Sequence, residues 1–287
     1  MARMTRILLR SLGRIFPDCV TLGQAIAFNM FLAFFPLLLL ALGLLSGTSF
    51  LHDAMREIPA RLNMILPSSS TQVVSEYFLR RGLHPLRWIY LGLGGTLVAG
   101  SQVMIGFIEG FRVVEGDLLT VGYWRRQLRA LLLLCLTIVP TLAVLMLTTF
   151  GKPLRAWLIQ RTGAPNLLVH QLSFVLYVSG VFVLAMAVLV LVYRIGRPGH
   201  AGIRDVLPGA AVATVLWWAA DVIFGYYVRR VPYNVVYGGL AAAIGLLLWM
   251  YLTAMIVLYG AAYNAEAREA RHSEKPILSR QVVTRSR

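Results

Sequence analysis

One acidic residue, Asp221, lies within a long apolar run, between Trp217 and Trp218 on one side and Val222 and Ile223 on the other. A carboxylate near the centre of a membrane-spanning helix costs roughly 2.5–3.5 kcal/mol on insertion scales, so it needs a partner, a proton or water. Two interpretations remain open, a structural group hydrogen-bonded to a neighbouring helix and a protonatable group that faces a substrate.

Other polar side chains also fall within or at the ends of apolar runs. In a bilayer such groups usually hydrogen-bond between helices, and lining a wet cavity is the alternative. The complete set of substrate-cavity candidates is Asp221, Asn29, Gln102, Glu109 and Asn264.

A group of arginines, interleaved with acids and one tryptophan, separates two of the apolar runs. Its members are Arg112, Arg125, Arg126, Arg129, Glu109, Glu115, Asp117 and Trp124. Because planar guanidinium groups match phosphate, the four arginines are candidates for binding an anionic headgroup. An ion-pair network at headgroup level is the other interpretation of the same pattern.

Motifs of known catalytic chemistry are missing from positions where the predicted elements would support them. The sequence has no Walker motif, nucleophile elbow, HExxH motif or dinucleotide fingerprint in such a context. Its five histidines have no metal-ligand spacing, and Cys19 and Cys135 form no CxxC pair. We therefore expect no enzyme activity, no metal and no cofactor.

The elements that position these residues must be helices in a lipid bilayer. Hydrophobic residues make up 58% and charged residues 14% of the 287 residues, against roughly 45–50% and about 25% in soluble domains. The net charge of +15 is one that nucleic-acid-binding proteins also carry. Here the basic residues lie between apolar runs, which is typical of topology signals and headgroup contacts, so we expect no nucleic-acid partner.

Six runs reach the length of about 20 apolar residues that a spanning helix needs. The sequence thus predicts an all-α polytopic membrane protein, a bundle of six transmembrane helices over residues 22–45, 88–108, 130–150, 168–193, 206–228 and 237–263. The small residues of the second span, including the Gly106–Gly110 pair, predict a helix-packing face. We expect one domain over residues 1–267 and a basic, disordered tail over residues 268–287.

Orientation and the longest loop follow from charge and periodicity. Lys and Arg are more numerous on the side that holds both termini, so both termini should face the cytoplasm. The loop over about residues 50–87 predicts two short amphipathic helices, about 52–65 and 72–81, separated at Pro67. They would form a lid packed on the bundle or lying at the interface, and gating of a substrate is the alternative role.

Several segments resemble the YihY/BrkB family. Tyr233–Ala254 followed by Tyr263–Glu266 is similar to the closing signature of that family, and Ala25–Pro36, Leu207–Ala210 and Trp124–Arg126 also match it. The resemblance covers nearly the whole chain and implies a six-helix, multi-pass protein of the bacterial inner membrane. Family members have carried a ribonuclease label, for which this sequence offers neither a clustered acidic metal site nor a set of histidines.

Two departures from the family pattern concern acidic residues. The family signature has Glu where this chain has Ala262, and Asn where this chain has Glu109. We hypothesise that Glu109 replaces the acid that is lost at Ala262.

The favoured interpretation is a transporter or flippase-like carrier for an anionic lipid or amphiphile. Asp221 and Asn29 would line its cavity, and Arg125, Arg126 and Arg129 would lie at the entrance. The alternative is a non-transporting membrane scaffold or envelope-organising protein, which predicts a dry interior. Membrane lipids are the expected partners in either case.

Overall fold

The computed structural model describes residues 2–16, 18–45, 85–117, 122–138, 140, 166–197, 199, 202–230 and 239–284. These residues form seven helices and no strand, which confirms the predicted all-α class for this part of the chain. The helices are α1 (Ala2–Ile15), α2 (Asp18–Leu45), α3 (Pro85–Glu115), α4 (residues 123–138), α5 (Asn166–Gly196), α6 (Ile203–Arg230) and α7 (Gly239–Thr284).

Five of the described helices are long and apolar enough to cross a membrane. The stretches are Asp18–Leu40, Ile89–Glu115, Val178–Gly196, Ile203–Tyr227 and Ala242–Arg271, and they overlap the first, second, fourth, fifth and sixth predicted spans. The third predicted span, 130–150, coincides with α4 up to residue 138, and nearly all of its remainder lies outside the described residues. The two helices predicted for the lid, 52–65 and 72–81, also lie outside them.

The last helix extends further than the sequence predicts. α7 continues through Thr284, into the segment 268–287 for which we expect a disordered tail. Ala, Glu and Arg are strong helix formers and dominate residues 265–271. Arg268 and Arg271 also pair with acids on other helices, so this first part of the tail is ordered against the bundle.

α2 and α3 form a closely packed antiparallel pair. A Cβ atom added to Gly95 would lie 2.8 Å from Cβ of Pro36, and one added to Gly106 would lie 2.7 Å from Cγ1 of Ile26. Residues late in α2 therefore meet residues early in α3, and the reverse holds at the other end. Small residues let helix backbones approach in this way in bilayers, as the sequence of the second span predicts.

α7 is the central helix of the described bundle, since it packs against α1, α2, α3 and α6. A Cβ atom on Gly23 of α2 would lie 2.7 Å from Sδ of Met255. Six residues before Met255, the Trp249 ring lies 5.1 Å from the ring of Phe224 on α6, measured between centroids. A glycine contact with α2 and an aromatic contact with α6 thus join α7 to its neighbours.

The end of α3 has a clear local cause. α3 ends in a Schellman motif, in which Asp117 N–H donates to Arg112 O at 3.0 Å and Gly116 N–H donates to Val113 O at 3.1 Å. Gly116 has a φ of 68°, a left-handed conformation that glycine adopts without a steric penalty. The turn fixes the direction of Glu115, the last residue of the helix.

Large apolar side chains cover the outer faces of the spans. Those exposed to a third or more of their surface include Phe28, Leu32, Phe35, Val98, Val183, Val215, Val222, Ile223, Ile244 and Leu248. Soluble monomers rarely expose contiguous apolar surface on this scale. Hydrocarbon is therefore the medium that these faces fit.

Candidate functional site at the arginine-rich end of the bundle

The helices bring most of the described charged side chains to one end of the bundle. This arginine-rich end consists of the ends of α1, α3 and α5, the starts of α2, α4 and α6, and the Ala262–Arg271 part of α7. Its ion pairs join Arg14 to Glu266 and Glu269, Arg126 to Glu109, Arg197 and Arg268 to Glu115, and Arg271 to Asp205.

Glu115 is the acid at the centre of this end. Its Oε1 accepts a hydrogen bond from Nη2 of Arg268 at 2.7 Å and lies 2.5 Å from Nε of Arg197. The three side chains are 13%, 14% and 19% exposed, respectively. Charges that are buried to this extent are retained only when they are paired, because removing an ion from water costs far more free energy than removing a neutral group.

Asn264 joins α7 to the start of α6. Its Oδ1 accepts the Gly209 N–H at 2.7 Å, and its Nδ2 donates to the carbonyl oxygen of Val206 at 3.1 Å. The side chain is 2% exposed, so both bonds are shielded from water. Asn264, a cavity candidate from the sequence, thus holds two helices together beside the Glu115 ion pairs.

A proline in α6 allows a further contact at the same junction. Pro208 has no N–H, so the carbonyl of Arg204 lacks the donor that a helix normally supplies. Nη1 of Arg271 lies 3.5 Å from that oxygen and 3.5 Å from Oδ1 of Asp205. The first turn of α6 is therefore fixed to α7 at two levels, by Asn264 and by Arg271.

A small crevice opens between these groups. The residues that line the crevice are Phe111, Glu115, Tyr193, Arg197, Val206, Ala261, Asn264 and Arg268. The volume in which the centre of a water molecule fits is about 10 Å³. Such a volume holds on the order of one water molecule or one oxygen atom. A whole drug-sized ligand, which needs roughly 300 Å³ or more, does not fit inside it.

The four arginines predicted to bind a headgroup fall into three environments. Arg126 pairs with Glu109 and lies 5.9 Å from the Tyr123 ring centroid. Arg112 is partly buried, and its Nε finds no hydrogen-bond acceptor among the described residues. Arg125 and Arg129 are exposed near the start of α4 and form no ion pair within the described part of the chain.

The remaining cavity candidates are dispersed. Asp221 and Gln102 are exposed, Asn29 is half-buried, and none of the three lines the crevice. Glu109 is bound to Arg126, whereas the acid that borders the crevice beside Ala261 and Asn264 is Glu115. The structure thus brings one candidate, Asn264, close to the acid–arginine group around Glu115.

Arg197 and Arg268 are the site residues that sequence reasoning missed. Each follows the apolar part of its helix, where a basic residue is expected simply as a topology signal. Their shared partner Glu115 lies far away in the sequence, and neither periodicity nor charge counts predict such a pairing.

Among the described residues, no group of three or more His, Cys, Asp or Glu is placed to hold a metal ion.

A family model settles what kind of protein this architecture belongs to. The model described as "Virulence factor BrkB" matches residues 16–284, which include every span and the whole arginine-rich end apart from Arg14. The chain belongs to the BrkB family. The family resemblance inferred from the closing signature is thereby confirmed.

Curated relatives agree with a BrkB-family membrane protein. The ribonuclease-like protein YfkH of Bacillus subtilis is 23% identical over 84% of this chain and 86% of its own length. A UPF0761 membrane protein of Alkalilimnicola ehrlichii is 25% identical over 88% of this chain but 57% of its own. One from Chromobacterium violaceum is 37% identical over 33% of this chain and 23% of its own.

The chain therefore spans little more than half of the Alkalilimnicola relative. No solved structure matches this BrkB-family chain.

Proposed function

We propose that this protein is a transporter or flippase-like carrier for an anionic lipid or amphiphile. It would act in the bacterial inner membrane with both termini in the cytoplasm. The observation that carries the proposal is the pair of exposed arginines, Arg125 and Arg129, beside exposed aromatic rings at the arginine-rich end.

The aromatic side chains favour a location at the membrane–water boundary. Tyr123 is 60% and Trp124 81% exposed, and their rings pack edge to face. Such rings are enriched at the headgroup level. Guanidinium groups at the same level attract anionic headgroups, each contributing about 1 kcal/mol near the surface. Arg125 and Arg129 would therefore capture the headgroup.

Asp221 supports movement of cargo across the bilayer. It lies 18 residues after Ile203 in the span Ile203–Tyr227, which places it roughly 27 Å along the helix at 1.5 Å per residue. Its side chain is exposed among exposed apolar neighbours and forms no ion pair or hydrogen bond with the described residues. A carboxylate on such a face is unfavourable in lipid, so we infer that water or polar cargo reaches it.

The proposed mechanism is alternating exposure of a path between the arginine-rich end and Asp221. Arg125 and Arg129 receive the headgroup at the arginine-rich end, and Asp221 marks the far part of the path. The proposal involves no bond chemistry, and the ribonuclease-like name of YfkH is not carried over to this chain. Asn29 and Gln102 would supply polar contacts between these two points.

A scaffold or envelope-organising protein is the second candidate. The tight glycine contacts of α2 with α3 and the small size of the described crevice favour it, because a packed bundle offers no wide internal path. A scaffold needs no flux, whereas a carrier does.

Reconstitution separates the two functions. Purified protein in vesicles should move a fluorescent phosphatidylglycerol analogue between leaflets faster than protein-free vesicles, and faster than it moves the phosphatidylcholine analogue. Equal rates with and without protein would remove the carrier proposal and leave the scaffold. Lipid analysis of a strain that lacks the protein would then show whether the anionic lipids of the envelope are redistributed.

A further inference from the structure

Two arginines that line the crevice beside Glu115, Arg197 and Arg268, carry hydrogen-bond donors that the described protein does not satisfy. Nη1 of Arg268 is buried without an acceptor, although Nη2 of the same group binds Glu115. Nε of Arg197 is 2.5 Å from Oε1 of Glu115, but its N–H is not aligned for a hydrogen bond. A buried donor left without an acceptor costs about 1–3 kcal/mol, and more when it is charged.

The charges at the crevice are also unequal. Two guanidinium groups share one carboxylate oxygen, so Arg197, Arg268 and Glu115 together carry one surplus positive charge. The side chains are mostly buried, and water screens this surplus poorly. An anion would neutralise it, and a neutral ligand would not.

The shape of the crevice restricts the anion. Its free volume of about 10 Å³ admits one oxygen atom and not a complete phosphate group. The rings of Phe111 and Tyr193, whose centroids lie 5.4 Å apart, border one side. The start of α6, where helix N–H groups carry partial positive charge, contributes Val206 to another side.

We propose that this crevice binds a terminal phosphoryl oxygen, which enters between Arg197 and Arg268. The oxygen accepts hydrogen bonds from Nη1 of Arg268 and from Arg197, while Glu115 holds both guanidinium groups in place. The rest of the phosphate stays outside the crevice. A phospholipid headgroup and free phosphate share this chemistry. The lipid form rests on the proposed function, since it makes a phosphate ester the cargo, but binding itself does not require transport.

Thermal unfolding of the purified full chain in detergent, with inorganic phosphate as the added ligand, tests the site. At constant ionic strength, phosphate should raise the melting temperature of the wild type more than chloride does. Arg268→Gln should weaken the apparent phosphate affinity by about tenfold or more, the usual effect of losing a charge-assisted hydrogen bond. Arg271→Gln is the matched control, because Arg271 lies on the same helix but is 49% exposed and pairs with Asp205.

A second arm uses nanodiscs of phosphatidylcholine with and without phosphatidic acid. Stabilisation by phosphatidic acid that Arg268→Gln removes supports a lipid headgroup. Stabilisation by inorganic phosphate alone supports the site and overturns its lipid form. No stabilisation in either arm, or equal stabilisation of wild type and Arg268→Gln, overturns the proposal.

The design remains informative if Arg268→Gln does not fold. Arg268→Lys keeps the charge and loses the planar fork, so it should fold and bind phosphate more weakly than the wild type. Binding without lipid flux would retain the phosphoryl site and remove the carrier. Lipid flux that neither Arg268 substitution changes, in a protein that phosphate does not stabilise, would retain the carrier and remove the phosphoryl site.

Discussion

The backbone N–H of Gly209 donates a hydrogen bond to Oδ1 of Asn264 at 2.7 Å. This bond is possible because the α6 and α7 backbones almost touch at this level. A Cβ atom added to Gly209 would overlap the carbonyl oxygen of Gly260 and would lie 2.5 Å from Cγ of Asn264. The contact holds α6 and α7 together beside the Glu115 ion pairs, so the geometry of the arginine-rich end depends on it.

Gly209→Ala should therefore destabilise the protein. The methyl group must displace backbone atoms of α7, and overpacking of this kind costs about 1–3 kcal/mol or more. We expect a lower melting temperature in detergent. Gly94→Ala is the control, because open space surrounds Gly94 and alanine is the better helix former. A Gly209→Ala variant as stable as Gly94→Ala would contradict the close contact.

Asn264→Ala should also lower stability, for a different reason. It leaves the Gly209 N–H and the Val206 carbonyl without the partner that they have in the wild type, at a cost of about 1–3 kcal/mol. Asn29→Ala is the matched control, since the half-buried Asn29 makes no hydrogen bond to the described residues through its side chain. Equal melting temperatures for the two variants would show that the Asn264 bonds do not stabilise the bundle.

Local sequence patterns predict the helices well and their mutual contacts less well. The spans follow from run lengths of apolar residues, and the packing of Gly106 against Ile26 follows from the preference for small residues between helices. The pairing of Glu115 with Arg268 could not be predicted, because it joins residues 153 positions apart and depends on how α3 and α7 pack. The pairing of Arg126 with Glu109 could be predicted, because both residues belong to one charged group of the sequence.

Asp221 illustrates a different boundary of sequence reasoning. An apolar run with one acid identifies the residue, but the direction of its side chain depends on the rotation of α6. Trp217, half-buried, packs against Trp249, whereas Trp218 is 60% exposed and Asp221 is exposed with it. Asp221 lies four residues after Trp217 and therefore close to the face that packs against α7, so a small rotation of α6 would turn the acid toward α7.

Asp221→Asn should fold normally and slow lipid flux. No ion pair or hydrogen bond within the described residues depends on the carboxylate, so the melting temperature should change by little. The flux should fall because the amide carries neither the charge nor the proton of the acid. The measurement is the initial translocation rate at equal protein content. Wild-type flux in both Asp221→Asn and Asp221→Ala would show that the residue is dispensable for transport.

The arginine-rich end should face the cytoplasm, in line with the positive-inside rule. A fluorescent protein fused after Arg287 should then be fluorescent in cells, and alkaline phosphatase at the same position should be inactive. Phosphatase fused after residue 60, between α2 and α3, should be active and serves as the control. Active phosphatase at the C-terminus would reverse the orientation and place the headgroup arginines on the outer side.

Headgroup selectivity of flux tests the central claim most directly. The quantity is the ratio of phosphatidylglycerol to phosphatidylcholine translocation rates in the same reconstituted vesicles. Arg125→Gln/Arg129→Gln should lower this ratio about fivefold or more, because each guanidinium contributes about 1 kcal/mol of attraction to an anionic headgroup. The control is Arg194→Gln/Arg204→Gln, which removes the same charge from two exposed side chains elsewhere at that end and should keep the wild-type ratio. Absence of protein-dependent flux, or one ratio shared by all three proteins, would contradict the account.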